Sequence, residues 1–323
     1  MRAMQESLLF RSGLLAAGNT DYEIAAELES GRIIRLTPGV YIPASRLSKL
    51  TSRDLHLAKV AARLEKCRNL ILSHDSAAAL WGLPMISGWS NAVHTYSGTQ
   101  TNGGRRTPSR VWHRAAKPVQ SLLVEGVPIT SVAQTIADIA RVKGELAALV
   151  QLDYALRLGL AMLEDFAPFL EPGARGPGYR RLANAVAQAD SRSESPGETI
   201  SRYVMRRHHL PKPQLQFEIR DSRSNQVFRT DFGWPQFNLV GEFDGRVKYG
   251  RELAGSDEEA RQVLWEEKRR EDAIRRAGYQ VVRWAWEDTK QPFAMVNFLL
   301  DAGLPGIRPT KSATLADKKF RAG

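Results

Sequence analysis

Two alternating runs on either side of a Pro-containing turn constrain this chain more than any other feature. VFRTDF (227–232) and NLVGEFDG (238–245) are strand-like in composition, and GWPQFN between them can turn the chain. Side chains alternate across a strand, so Val240, Glu242 and Asp244 share one face and Leu239, Gly241 and Phe243 the other. Arg229 and Asp231 share a face of the first run. Pairing about Gln236–Phe237 sets Asp231 opposite Glu242. Two carboxylates side by side repel unless a cation neutralises them. Mg2+ is held by one or two carboxylates plus water and phosphate, and it activates a water for attack on phosphorus. The hairpin therefore predicts Asp231 and Glu242 as metal ligands, with Asp244 either a third contact or an outer group.

The flanks extend this constellation. SESPGETISRYVM reads as a helix start with Ser195 as cap, Pro196 in the first turn and Glu198 soon after. Glu198 either faces the metal or simply favours the positive end of its helix. Lys248, just past the second strand, would orient the attacking water or neutralise a phosphate. WEEKRREDAIRRAG is a charged amphipathic helix and YQVVRWAWED a strand. Lys268, Arg270 and Arg283 on them are candidate DNA contacts; a solvated charged face is the alternative.

The order Glu198, Asp231, Glu242-x-Asp244-Gly245, EKRRED, GYQVVRW resembles the PD-(D/E)XK nuclease superfamily over about 193–290, in the branch similar to very-short-patch-repair endonucleases. The resemblance implies a restriction-endonuclease-like α/β domain and Mg2+-dependent DNA cleavage, with Glu198, Asp231, Glu242 and Lys248 catalytic. Asp244 stands where the superfamily's usual motif has Lys. That branch also has an acid there, often with His four positions later, where this chain has Lys248.

At the other end, Thr20-Asp21-Tyr22-Glu23 is a capping box that starts a helix from Asp21 to about Ser30, ended by Gly31. RIIRL and VYI follow as strands joined by Thr37-Pro38-Gly39, a type II turn. With the short apolar turns of 7–17, this predicts a winged helix-turn-helix. The capped helix carries Asp21, Glu23, Glu27 and Glu29, which repel phosphates. Asn19, Thr20, Tyr22, Arg32 and Arg35 remain as DNA contacts, and packing or protein contact is the competing use of this helix.

Between these ends, helices are expected at about 52–66, 75–81, 131–142 and 145–159, with strands near Leu70–Leu72, Ala92–Tyr96 and Arg110–His113. GGRRTPSRVWHR mixes Arg with Trp112 and His113, suited to a nucleic-acid backbone or to an exposed loop. His74 and His113 have no ligand-spaced partner in sequence and read as packing or hydrogen-bonding histidines. GLLAAG, GRIIRLTPGVYIPA, LSHDSAAALWGLP and GVPITSVAQTIADIA, in that order, resemble the N-terminal half of AbiEi-family antitoxins over about 5–165. That resemblance implies a transcriptional regulator of toxin–antitoxin or phage-defence type, binding operator DNA and a cognate toxin.

A chain of 323 residues exceeds one ordinary core. EPGARGPG (171–178) is a Pro/Gly break. The expected organisation is α/β throughout: a winged helix-turn-helix (1–48), a mixed α/β middle domain (49–170), a linker and helix (171–191), the restriction-endonuclease-like α/β domain (192–306) and a disordered basic tail (307–323). A net charge of +11 favours a polyanion, and double-stranded DNA is the partner expected. No apolar run reaches about 18 residues, so no membrane partner is expected. A single cysteine and no secretory leader point to the cytoplasm. The function expected is a DNA-binding defence or toxin–antitoxin protein with an Mg2+-dependent endonuclease domain. The alternatives are a non-catalytic regulator whose nuclease-like domain only docks DNA or a partner, and an RNA-processing nuclease.

Overall fold

The computed structural model describes residues 1–66, 70–97, 106–114, 119, 121–171, 176–221, 223, 225–245 and 257–306. Lys248 and the tail 307–323, expected to be catalytic and disordered respectively, lie outside the described residues. The protein is α/β and divides into two compact units, 1–155 with 159–187, and 156–158 with 188–323. The expected winged-helix and middle segments thus fall in one unit, and the acidic hairpin in the other.

The first unit begins α1 (Arg2–Gln5), β1 (Leu9–Phe10), α2 (Arg11–Ala16), α3 (Asp21–Glu29), β2 (Ile33–Thr37), β3 (Val40–Pro43), with a three-stranded antiparallel sheet in the order β1-β3-β2. The capping box forms as the sequence predicts: the Glu23 amide donates to Thr20 Oγ1 at 3.2 Å, and the Thr20 amide donates to the Glu23 carboxylate at 2.7 Å. Gly39 takes φ +72°, the left-handed value that the third residue of a type II turn requires. Alternation along β3 sorts its side chains into two cores. Tyr41 meets Ile24 of α3, while Val40 and Ile42 meet Ala58, Ala61 and Ala62 of α5 (Ser52–Lys66), which follows α4 (Ala44–Leu47). Fully burying a side chain the size of Ile42 contributes about 1.5–3 kcal/mol.

Next come β4 (Leu70–Leu72), α6 (His74–Trp81), β5 (Val93–Ser97), β6 (Arg106–Thr107), β7 (Arg110–His113), β8 (Ser121–Val124), β9 (Val127–Thr130), α7 (Val132–Lys143), α8 (Glu145–Arg157), α9 (Ala167–Leu170) and α10 (Tyr179–Gln188). The six strands form one mixed sheet in the order β6-β7-β5-β4-β9-β8. The β8–β9 hairpin is absent from the expected elements. Its turn is Glu125-Gly126, both at positive φ (49° and 76°), as a two-residue hairpin loop demands.

The second unit runs α11 (Pro196–Arg207), β10 (Gln214–Arg220), β11 (Val227–Trp234), β12 (Leu239–Asp244), α12 (Asp257–Arg276), β13 (Gln280–Ala285), α13 (Trp286–Thr289), α14 (Pro292–Asp301). Its sheet order is β10-β11-β12-β13. β12 and β13 are parallel, so a crossover must join them, and α12 lies between them in sequence. Ala273 and Ile274 of α12 pack on Ile219, Phe228 and Val240. Gly241 lies under the rings of Trp284 and Trp234, where any Cβ would overlap Trp284. The strand expected over YQVVRWAWED stops at Ala285, and Trp286 opens a helix.

Candidate functional site

The second unit gathers its acids around the β11–β12 pair. The register is the one the sequence predicts: Phe232↔Gly241, Gly233↔Val240, Trp234↔Leu239. One step further sets Asp231 against Glu242. There the Asp231 carboxylate itself accepts the Phe243 amide, at 2.8 Å. Glu198 enters from the start of α11, where Ser195 caps and Pro196 leads the first turn. Its carboxylate accepts from the Glu194 amide (2.9 Å), the Ser195 hydroxyl (2.8 Å) and Gln216 Nε2 (2.9 Å). Gln216 sits in a strand at φ +52°, a costly backbone for a non-glycine residue. Gly197 lets the Phe243 ring close on the same helix start, since a Cβ there would overlap it.

The charges of these acids are compensated unequally. Glu242 is pinned by two guanidiniums, Arg270 Nη2 at 2.5 Å and Arg283 Nε at 2.9 Å. Burial works to raise its pKa, but the hydrogen bonds and charges of Arg270 and Arg283 outweigh burial and hold it below the usual value. Burial also raises Glu198, with its three hydrogen bonds pulling back. Asp231 is pushed up to about 7, first by burial and then by Glu198; the Phe243 amide opposes, and Glu242 and Glu194 add to the rise. Asp231 thus sits where negative charge is crowded, and no cation among the described residues pairs with it. A hard dication fits that need, because Mg2+ requires only one or two carboxylates beside water and phosphate.

Two of the expected DNA contacts are already engaged here. Arg283 pairs with Glu242, with Glu271 at 2.8 Å and with Glu267, while Arg270 also donates to the Arg229 carbonyl at 2.7 Å. Lys268 is exposed on α12, and Asp244 is exposed at the end of β12. In the first unit, Asn19 Nδ2 donates to the Leu14 carbonyl, Thr20 is the helix cap, and Arg32 pairs with Glu27 at 2.7 Å. Tyr22, 84% exposed, and Arg35 remain outward.

One cluster escaped the sequence reading. His74, His94 and His113 each offer a ligand nitrogen, all within 4.8 Å of one another, the only such group among the described residues. His74 and His113 are packed and hydrogen bonded, as the sequence predicts, but with each other and with His94: parallel pairing of β5 and β7, with Tyr96 opposite His113, brings His113 to His94. The available signal was weak. It was a histidine in each of two predicted strands, 19 residues apart, far beyond any local ligand spacing.

No family model matches the chain. Two Mycobacterium tuberculosis proteins, the uncharacterized proteins MT2308 and Rv2248, are each 27% identical to it over 230 residues, covering 70% of this chain and 78% of theirs. Among the described residues no helix is long and apolar enough to cross a membrane.

Proposed function

We propose that this is a DNA-binding protein of the toxin–antitoxin or phage-defence type whose C-terminal unit is an Mg2+-dependent endonuclease. The observation that carries the reading is Asp231, a carboxyl held near 7 among Glu198, Glu242 and Glu194. Strongly shifted acids of this kind cluster at reaction sites. Asp231 and Glu242 would hold the cation, which would supply an activated water and charge stabilisation at phosphorus. Arg270 and Arg283 would exchange Glu242 for an incoming DNA phosphate, since guanidinium binds both oxyanions through paired hydrogen bonds. Glu242 would then be released to the cation only when substrate is present. Buried Glu198, fixed by three donors, would orient the Asp231 side of the site.

The N-terminal helix pair and three-stranded sheet support a winged helix that positions the protein on duplex DNA through Tyr22 and Arg35. The resemblance to AbiEi antitoxins makes a cognate toxin the protein partner. The second reading, a regulator without nuclease activity, is favoured by the double guanidinium on Glu242: both oxygens are occupied, as in a purely structural ion cluster.

Incubation of the purified chain with supercoiled plasmid separates the two. The endonuclease reading expects nicking with Mg2+ or Mn2+, binding without cleavage in Ca2+, and loss of cleavage in Asp231→Asn and Glu242→Gln. Metal-independent binding with no strand breaks in any of these ions would leave the regulator.

A further inference from the structure

The first unit brings three imidazoles together, His74 buried and His94 and His113 half-buried, with no carboxylate among the converging ligand atoms. His74 opens α6, His94 lies in β5 and His113 ends β7. We propose that His74, His94 and His113 form a site for a divalent transition metal of the zinc class, with water completing the coordination. This site is independent of the acidic one, and its chemistry differs: imidazole nitrogen suits Zn2+, Cu2+ and Ni2+, whereas Mg2+ and Ca2+ take oxygen.

The ring orientations favour this use. His94 Nε2 is hydrogen bonded to Ser90 Oγ at 3.0 Å, which directs Nδ1 inward, 2.9 Å from His113 Nε2. His74 Nδ1 faces Ser73 Oγ at 3.0 Å and Asp138 Oδ2 at 3.6 Å, leaving Nε2 as its ligand atom. Asp138 is the second, independent observation. It is fully buried, its Oδ1 accepts the Tyr96 hydroxyl at 2.8 Å, and its Oδ2 has no hydrogen-bond partner. On metal entry Asp138 Oδ2 would close its 3.6 Å gap to His74 Nδ1, and a carboxylate hydrogen bonded behind a ligand histidine fixes the tautomer and raises the basicity of the nitrogen on the metal. His74 also holds φ +49°, a strained backbone for a bulky residue, at the point where it enters the cluster.

Two of the three ring spacings are close to that required. Two imidazoles on one tetrahedral zinc, with Zn–N of about 2.0–2.1 Å, hold their ring centroids roughly 5 Å apart. His74–His94 and His94–His113 stand at 5.5 and 5.0 Å. His74 and His113 are stacked at 3.5 Å. Metal entry would open that stack and replace the hydrogen bond between His94 and His113. The ion would tie the start of α6 to strands β5 and β7.

The test uses the untagged full chain, stripped with chelator and dialysed against buffered Zn2+. We expect one zinc retained per chain, a rise in melting temperature, and no displacement by millimolar Mg2+. X-ray absorption on the wild-type protein should show a three-imidazole shell, a readout that needs no variant. His94→Ala and His113→Ala should lose the ion, while a His208→Gln/His209→Gln double variant should keep it. Asp138→Asn should weaken retention by about 10–100-fold, as loss of a supporting carboxylate does. No retained zinc in the wild type, an oxygen-only shell, or full retention in the His94 and His113 variants would each overturn the proposal.

Discussion

The two units bury polar clusters in opposite ways. In the second, guanidiniums from α12 and β13 reach Glu242, while Glu198 and, to about 7, Asp231 are pushed toward holding their protons. In the first, burial keeps the imidazoles unprotonated, with repulsion from triad partners adding at His74 and His113: His94 and His113 are each lowered to about 4, and His74 still further. One cluster is neutralised by importing cations and the other by giving up protons. An acid cluster solved by arginines is ready for an oxyanion to compete for those arginines. A neutral nitrogen cluster offers lone pairs of the kind a zinc-class dication takes.

The largest expected effect breaks the acid cluster at its uncompensated member. Asp231→Asn should lower plasmid cleavage by at least about 10²-fold, the scale on which a bound metal or its electrostatic equivalent acts. It should leave stability at pH 8 unchanged or higher, because the substitution removes a repelled charge and keeps the acceptor for the Phe243 amide. Agarose-gel nicking assays and thermal melts check the two halves.

The next effect sets the units against each other through pH. Folded His94 and His113 sit near 4, against about 6.5 unfolded, so the unfolded chain binds more protons between those values. Their contribution to stability is present above about pH 6.5 and lost as pH falls toward 4. Asp231 runs the other way. Its folded value is about 7 against about 3.9 unfolded, so its contribution is present below pH 4 and lost as pH rises toward 7. Amide hydrogen exchange at pH 4.5 and 6.5, corrected for intrinsic rates, should show the first unit loosening at acid pH and the second tightening. The second response should shrink in Asp231→Asn, with Glu198 supplying what remains.

What was legible in the sequence was local or periodic. Thr20 and Glu23 are three residues apart, as are Ser195 and Glu198, so each helix start could be read from spacing alone. The Asp231–Glu242 register followed from a short turn and period-2 alternation. The rest depends on distance along the chain. Arg270 and Arg283 lie 28 and 41 residues from Glu242, and the sequence offered them as DNA contacts because nothing local shows which acid they meet. The histidine cluster needed β7 to pair beside β5, a non-local choice no spacing encodes. The missed β8–β9 hairpin turns on Glu-Gly, a weaker signal than Asn-Gly or Asp-Gly.

A smaller effect sharpens the arginine side of the comparison. Arg283→Gln should raise the Glu242 pKa and cost about 1 kcal/mol or less in denaturant melts, since the Arg283 side chain is a third exposed and solvent screens its pairs. Arg270→Gln should behave alike. The smallest effect is on binding: Lys268→Ala, which removes an exposed charge from α12, should reduce the salt slope of duplex-DNA affinity by about 1. Fluorescence anisotropy across a salt series reads it.

The central claim is that Asp231 is a crowded, cation-seeking carboxyl, and a carbon-13 NMR titration of its side chain measures that directly. The account predicts a midpoint near pH 7 without metal, driven down by several pH units in saturating Mg2+. A midpoint near the ordinary aspartate value, unmoved by Mg2+, would contradict it.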